Sequence, residues 1–146
     1  MAYLCTNYKK MNCRIYRFLT SPWLTALCVA AILVLTLTPG NELPQIKTFF
    51  GFDKLVHAAM FGALACLLAV NLGRTKGRIT PRIIAIAAVA SSVLGAFIEV
   101  AQRNWIPGRS GDIPDAVADA VGAVILPVLL IRLLNLILRK TCQSRP

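Results

Sequence analysis

Five of the six acidic residues in this 146-residue chain, and its single histidine, stand at the edges of apolar segments. Asp53 and His57 open one segment, Glu99 closes another, and Asp112, Asp115 and Asp119 open a third. A carboxylate placed near hydrocarbon costs about 2.5–3.5 kcal/mol at a helix centre on insertion scales, so such positions are kept for a use. Asp53 and His57 are four apart and share a helix face, with Lys54 beside them. Glu99 and Gln102 are three apart at the end of their segment. Asp115, Asp119 and Gly122 follow at spacings of four and three and form one stripe. His57 and Glu99 are the candidate acid–base groups, because imidazole and a carboxyl held near lipid suit proton transfer.

Several of these residues also have plainer roles. Asp53 near a helix N-terminus favours the macrodipole, and Asp112 reads as an N-cap before Pro114. Glu99 has no such explanation, because an acid near a helix C-terminus opposes the dipole. It requires a partner such as Arg109, Lys54, His57 or a bound cation, or else a proton. Arg109 lies in the polar turn Pro107-Gly108-Arg109-Ser110-Gly111-Asp112. Its guanidinium suits a carboxylate or phosphate, with Glu99 and Asp112 as the expected internal partners. Asp119 lies more than a turn inside its segment and should face the bundle interior or a water-filled cleft.

The elements that carry these residues are membrane spans. Hydrophobic residues make up 57% of the chain and mean hydropathy is +0.67, too apolar for the polar surface of a soluble domain. The net charge of +10 therefore reads as loop charge flanking spans, not as a nucleic-acid surface. Four apolar segments, at 18–38, 53–72, 82–102 and 114–138, are each long enough to cross about 30 Å of hydrocarbon. Backbone groups in lipid must pair within their own segment, which makes the segments helices. The expected fold is all-α: a polytopic membrane protein of four transmembrane helices packed as a small bundle. A basic cytoplasmic segment, 1–17, precedes the membrane domain at 18–138, and a basic cytoplasmic tail, 139–146, follows it. The first span reads as uncleaved, because Leu35 to Gly40 offers no small-residue cleavage site.

Lys and Arg orient the bundle. The N-terminal segment, the second connection and the C-terminal end carry twelve, and the opposite side carries Lys47, Lys54, Arg103 and Arg109. Both termini are thus expected in the cytoplasm, with Asp53, Lys54, His57, Glu99, Gln102, Arg109, Asp112, Asp115 and Asp119 together at the outer face as a ligand-binding set. Small residues at four-residue spacing, Ser91 with Gly95 and Ala118 with Gly122, allow close helix approach. Packing within one bundle is the favoured use, with a homodimer as the alternative. Pro127 should kink the last helix. The five cysteines show no metal spacing and read as unpaired thiols.

The order Asp53-Lys54-x-x-His57, Glu99-x-x-Gln102, Pro107-Gly108-Arg109 with Asp112 and Asp115, then Gly122, resembles the VanZ-like family of small bacterial membrane proteins, over residues 24–126. The chain departs from that pattern at Asp119, where asparagine is frequent, and at Leu126-Pro127, where a second glycine is frequent. The resemblance implies the bacterial cytoplasmic membrane and a cell-envelope role of the teicoplanin-resistance type. It implies no reaction, cofactor or metal.

Three functions follow from these readings. In the first, a non-enzymatic protein binds a lipid head group, a lipid-linked cell-wall precursor or a glycopeptide at the outer face, with Arg109, Lys54 and His57 on its anionic groups. In the second, an embedded enzyme uses His57 or Glu99 as base on a lipid-linked substrate, with a divalent cation held by Asp115, Asp119 and Glu99. The third is a small proton-coupled transporter. There is no H-E-x-x-H motif and no nucleophile elbow, so binding is preferred to catalysis.

Overall fold

The computed structural model describes residues 21–39, 51–76, 79–109 and 111–143. The basic segment 1–17, the start of the first span, Lys47 and its connection, Arg78 and Ser110 lie outside the described residues. Among the described residues four helices follow in order: α1 (Pro22–Leu37), α2 (Phe52–Lys76), α3 (Pro81–Trp105) and α4 (Ile113–Gln143). The described residues form an all-α fold, and α2, α3 and α4 are each long and apolar enough to cross a membrane. α1 is apolar but has 16 described residues, about 24 Å at 1.5 Å per residue.

The helix ends follow from local chemistry. Pro22 and Pro81 occupy first-turn positions, where the missing N–H removes no intrahelical bond. Thr80 caps α3, its Oγ1 accepting from the Ile83 N–H at 3.3 Å. Gly108 takes a positive φ of 75° in the α3–α4 turn, a conformation that favours glycine. All three long helices outrun the segments expected from apolarity. α2 continues through Arg74 and Lys76, α3 to Trp105, and α4 to Gln143. Lys and Arg are good helix formers whose stems stay on apolar surface while the charge reaches the interface, so the first basic residue does not end the helix. α4 also runs uninterrupted through the buried Pro127.

α2 and α4 make the most extensive pairing, α3 packs on both, and α1 lies against α2 and α3. The α2–α4 crossing is close because it is built from glycines. A Cβ on Gly62 would stand 2.8 Å from the Gly122 carbonyl oxygen, and one on Gly122 would strike the backbone of Ala58. The small residues thus serve packing within one bundle. The core runs in layers along one face of α2. Phe61 and Leu64 pack with Ile32 and Ile98, then Ala65 with Ala88 and Ala123, then Ala69 with Ile83 and Ala87. Ser91 ties α3 to α2 by donating to the Phe61 carbonyl at 2.8 Å. The outward faces carry Trp23, Val34, Phe97, Val117, Val124 and Leu129, all exposed, as lipid contact requires. Cys28 and Cys66 are free thiols, while Cys5, Cys13 and the Cys142 side chain lie outside the described residues.

Candidate functional site

Above the apolar layers, three helices deliver one ionisable side chain each to the same level. His57 is five residues into α2, Asp119 six into α4, and Glu99 six from the end of α3. At 1.5 Å per residue these positions lie about 7.5–9 Å from the helix ends. Because α3 runs opposite to α2 and α4, the three side chains meet at one end of the bundle. All are buried, with Asp119 at 0%, His57 at 4% and Glu99 at 6% exposure.

His57 is the hub. Its Nδ1 lies 3.0 Å from Asp119 Oδ1 and 3.5 Å from Glu99 Oε1, and its ring stacks on Phe61 with centroids 6.4 Å apart. Asp119 is admitted by Gly95, since a Cβ there would stand 2.5 Å from Asp119 Oδ2. Glu99 has a second contact that its own helix does not suggest. Its Oε2 accepts the Asp112 backbone N–H at 3.1 Å, at the entrance to α4. Glu99 thus opposes the dipole of α3 but stands at the N-terminus of α4, where an anion is favoured. Gly111 makes this possible, because a side chain there would strike the Glu99 carbonyl.

The cations expected at the site are engaged elsewhere. Lys54 Nζ donates to Asp115 Oδ1 at 2.9 Å, which pairs α2 with the first turn of α4. Arg109 departs from the expected pairing with Glu99 or Asp112. Its Nη2 donates to the Leu35 carbonyl at 2.8 Å and its Nε to the Thr38 carbonyl at 3.3 Å. The guanidinium therefore caps the C-terminal end of α1, whose last carbonyls have no intrahelical partner. Gln102 serves the same end, donating from Nε2 to the Thr36 carbonyl at 2.7 Å. Asp112 sits at the N-cap position, its carbonyl accepting from Asp115 and Ala116. Asp53 is exposed beside the group.

Among the described residues, two oxygens at the centre, Glu99 Oε1 and Asp119 Oδ2, are buried without a hydrogen-bond partner. Two donor sets converge, with one donor atom per residue all within 4.8 Å: Asp53 with His57 and Asp115, and His57 with Glu99 and Asp119. The set expected from sequence, Asp115 with Asp119 and Glu99, is not among them; Asp115 Oδ1 bonds Lys54 and His57 stands between the other two.

Sequence reasoning reached every residue of the buried centre and the close helix approach at Gly95, but not which side chains that approach and Gly111 position. Gly95 and Gly111 are glycines in a helix and a turn, and their role shows only where another element presses against them. Thr36 and the α1 carbonyls were outside view because α1 carries no charged group. Asn71, at the other end, binds Thr25 Oγ1 at 2.6 Å. Comparison with known families, with curated proteins and with solved structures finds no match for this chain.

Proposed function

We propose that this membrane protein acts on the cell envelope from the outer face of a bacterial cytoplasmic membrane, with both termini in the cytoplasm. Its ligand is a lipid-borne one, a head group or lipid-linked cell-wall precursor, and its effect is of the glycopeptide-resistance type seen in the VanZ-like pattern. The observation that carries this reading is the buried meeting of His57, Glu99 and Asp119 at the end of the bundle to which the acids, and few of the basic residues, belong. Buried ionisable groups inside membrane segments mark functional sites. Arg109 and Lys54 hold α1 and Asp115, so recognition rests on the histidine and the carboxylates, which favour a ligand offering hydroxyl or amine hydrogens.

Native mass spectrometry of the protein released from lipid tests this. The wild type carries a head-group-specific adduct, and Glu99→Gln and Asp119→Asn lose it while keeping their helix content. An adduct that survives in both variants, with unchanged teicoplanin susceptibility of the host, refutes the reading.

One observation favours an acid–base enzyme as the second reading. Asp119 Oδ1 holds His57 Nδ1 at 3.0 Å, the arrangement by which a carboxylate fixes an imidazole's orientation and tautomer. His57→Gln would then abolish turnover of a lipid-linked substrate while leaving its binding intact.

A further inference from the structure

The charges at the centre do not balance with what surrounds them. Glu99 and Asp119 bring two buried carboxyl groups, and His57 can offset one at most. Of the described basic residues at this end, Lys54 and Arg109 are spent on Asp115 and on α1, and Arg103 is exposed and makes no ion pair with the centre. An uncompensated buried charge costs several kcal/mol even after relaxation. Two buried carboxylate oxygens without a partner point the same way, because buried polar atoms are rarely left unsatisfied. Glu99 Oε1, one of the two, faces His57 Nδ1 at 3.5 Å.

The spacing of the donors is itself informative. Two ligands at about 2.1 Å from one cation stand about 3.0 Å apart at a right angle and about 3.4 Å apart at a tetrahedral angle. His57 Nδ1 stands 3.0 Å from Asp119 Oδ1, a hydrogen-bond contact in the protein alone, and 3.5 Å from Glu99 Oε1; these two of the three donor separations match the edges of such a coordination shell. One donor from each of the three residues falls within 4.8 Å of the others. An imidazole nitrogen with two carboxylates suits zinc or manganese rather than calcium or magnesium, which prefer oxygen alone.

We infer that His57, Glu99 and Asp119 form a binding site for one divalent cation of the zinc–manganese type, held by Nδ1 and one oxygen of each carboxylate. A dication with a neutral imidazole and two carboxylates brings the centre to zero net charge. Three protein donors leave a coordination position open, the pattern of catalytic rather than structural zinc. Gly95 admits the Asp119 ligand, and the Asp112 N–H orients Glu99 through its other oxygen, as a hydrogen bond to a ligating carboxylate does. The site stands on this geometry and not on the identity of the lipid ligand, so either can fail alone.

The test is metal uptake by the full chain in lipid nanodiscs, free of any histidine tag and stripped with chelator. Loaded with Zn²⁺ or Mn²⁺ and desalted, the wild type retains about one equivalent by elemental analysis, and its thermal transition rises. Glu99→Gln and Asp119→Asn weaken the metal by more than ~100-fold, beyond the ~10–100-fold loss typical of an outer partner. Asp53→Asn, which removes a member of the alternative donor set, keeps full uptake. Retention below about one-tenth of an equivalent, with no thermal shift, overturns the site and leaves shared protons as the neutralising species. Uptake unchanged in both carboxamide variants, or lost in Asp53→Asn, overturns it as well. Should the carboxamide variants fail to fold, Glu99→Asp decides: it keeps the charge, and shortening the ligand still weakens the metal under this assignment.

Discussion

Gly95 sets how near Asp119 can stand to α3, and that distance decides whether the carboxylate reaches His57. With a Cβ placed 2.5 Å from Asp119 Oδ2, alanine at Gly95 must displace the acid or push the helices apart. Gly95→Ala is expected to cost about 1–3 kcal/mol, the range for overpacking a filled interior, read from reversible unfolding in mixed micelles. Ser91→Ala, one turn earlier, is a contrast. It removes a single hydrogen bond to the Phe61 carbonyl and should cost about 0.6 kcal/mol, the mean for interhelical bonds in membranes. If the serine variant proves the more damaging of the two, the steric reading of Gly95 is wrong. The chemistry of these residues was legible in the sequence. Lone acids and a histidine inside apolar runs announce themselves by their cost. Their pairing was legible only in part: His57 was one of several partners open to Glu99, but its contact with Asp119 depends on how each helix is rotated about its axis. Glu99 illustrates this: its contact with the Asp112 N–H exists because Gly111 lets the entrance of α4 pass against the end of α3.

Among the elements, α1 is the helix most dependent on others. Its C-terminal carbonyls are held by Arg109 and Gln102, from the α3–α4 turn and from α3. Hydrogen bonds from charged donors contribute about 1.5–3 kcal/mol each. Arg109→Gln should therefore speed amide exchange at Thr36–Thr38 by about tenfold or more, while exchange along α2 is unchanged. Equal acceleration in α2 and α1 would show that Arg109 supports the whole bundle instead. The α2–α4 crossing is the opposite case, with Gly122 against the Ala58 backbone. Gly122→Val has no nearby relaxation and is expected to separate the two helices, seen as loss of the cooperative transition. Helix existence followed from four apolar runs long enough to span. Helix length did not, because charge ends an apolar window but not a helix. α2 and α4 continue past their first basic residues, which can keep their charged ends in the interface.

For the whole molecule, the exposed residues identify its solvent. Val117, Val124 and Leu129 on α4, and Phe97 on α3, are exposed although the helices that carry them are strongly apolar. A water-soluble bundle would bury such residues; a lipid-facing one presents them. Val124→Asp should raise the apparent insertion free energy of α4 by about 2.5–3.5 kcal/mol in a translocation assay. An unchanged insertion efficiency would place α4 outside the hydrocarbon.

The distribution of His57, Glu99 and Asp119, one per helix, bears on how such a protein is made. Spans enter the bilayer before they find each other, so each must partition while its polar group still lacks a companion. Divided in this way, the penalty falls on three separate insertion events, none carrying more than one of the three groups. The centre thus comes into existence only when the helices associate, and its formation reports assembly itself.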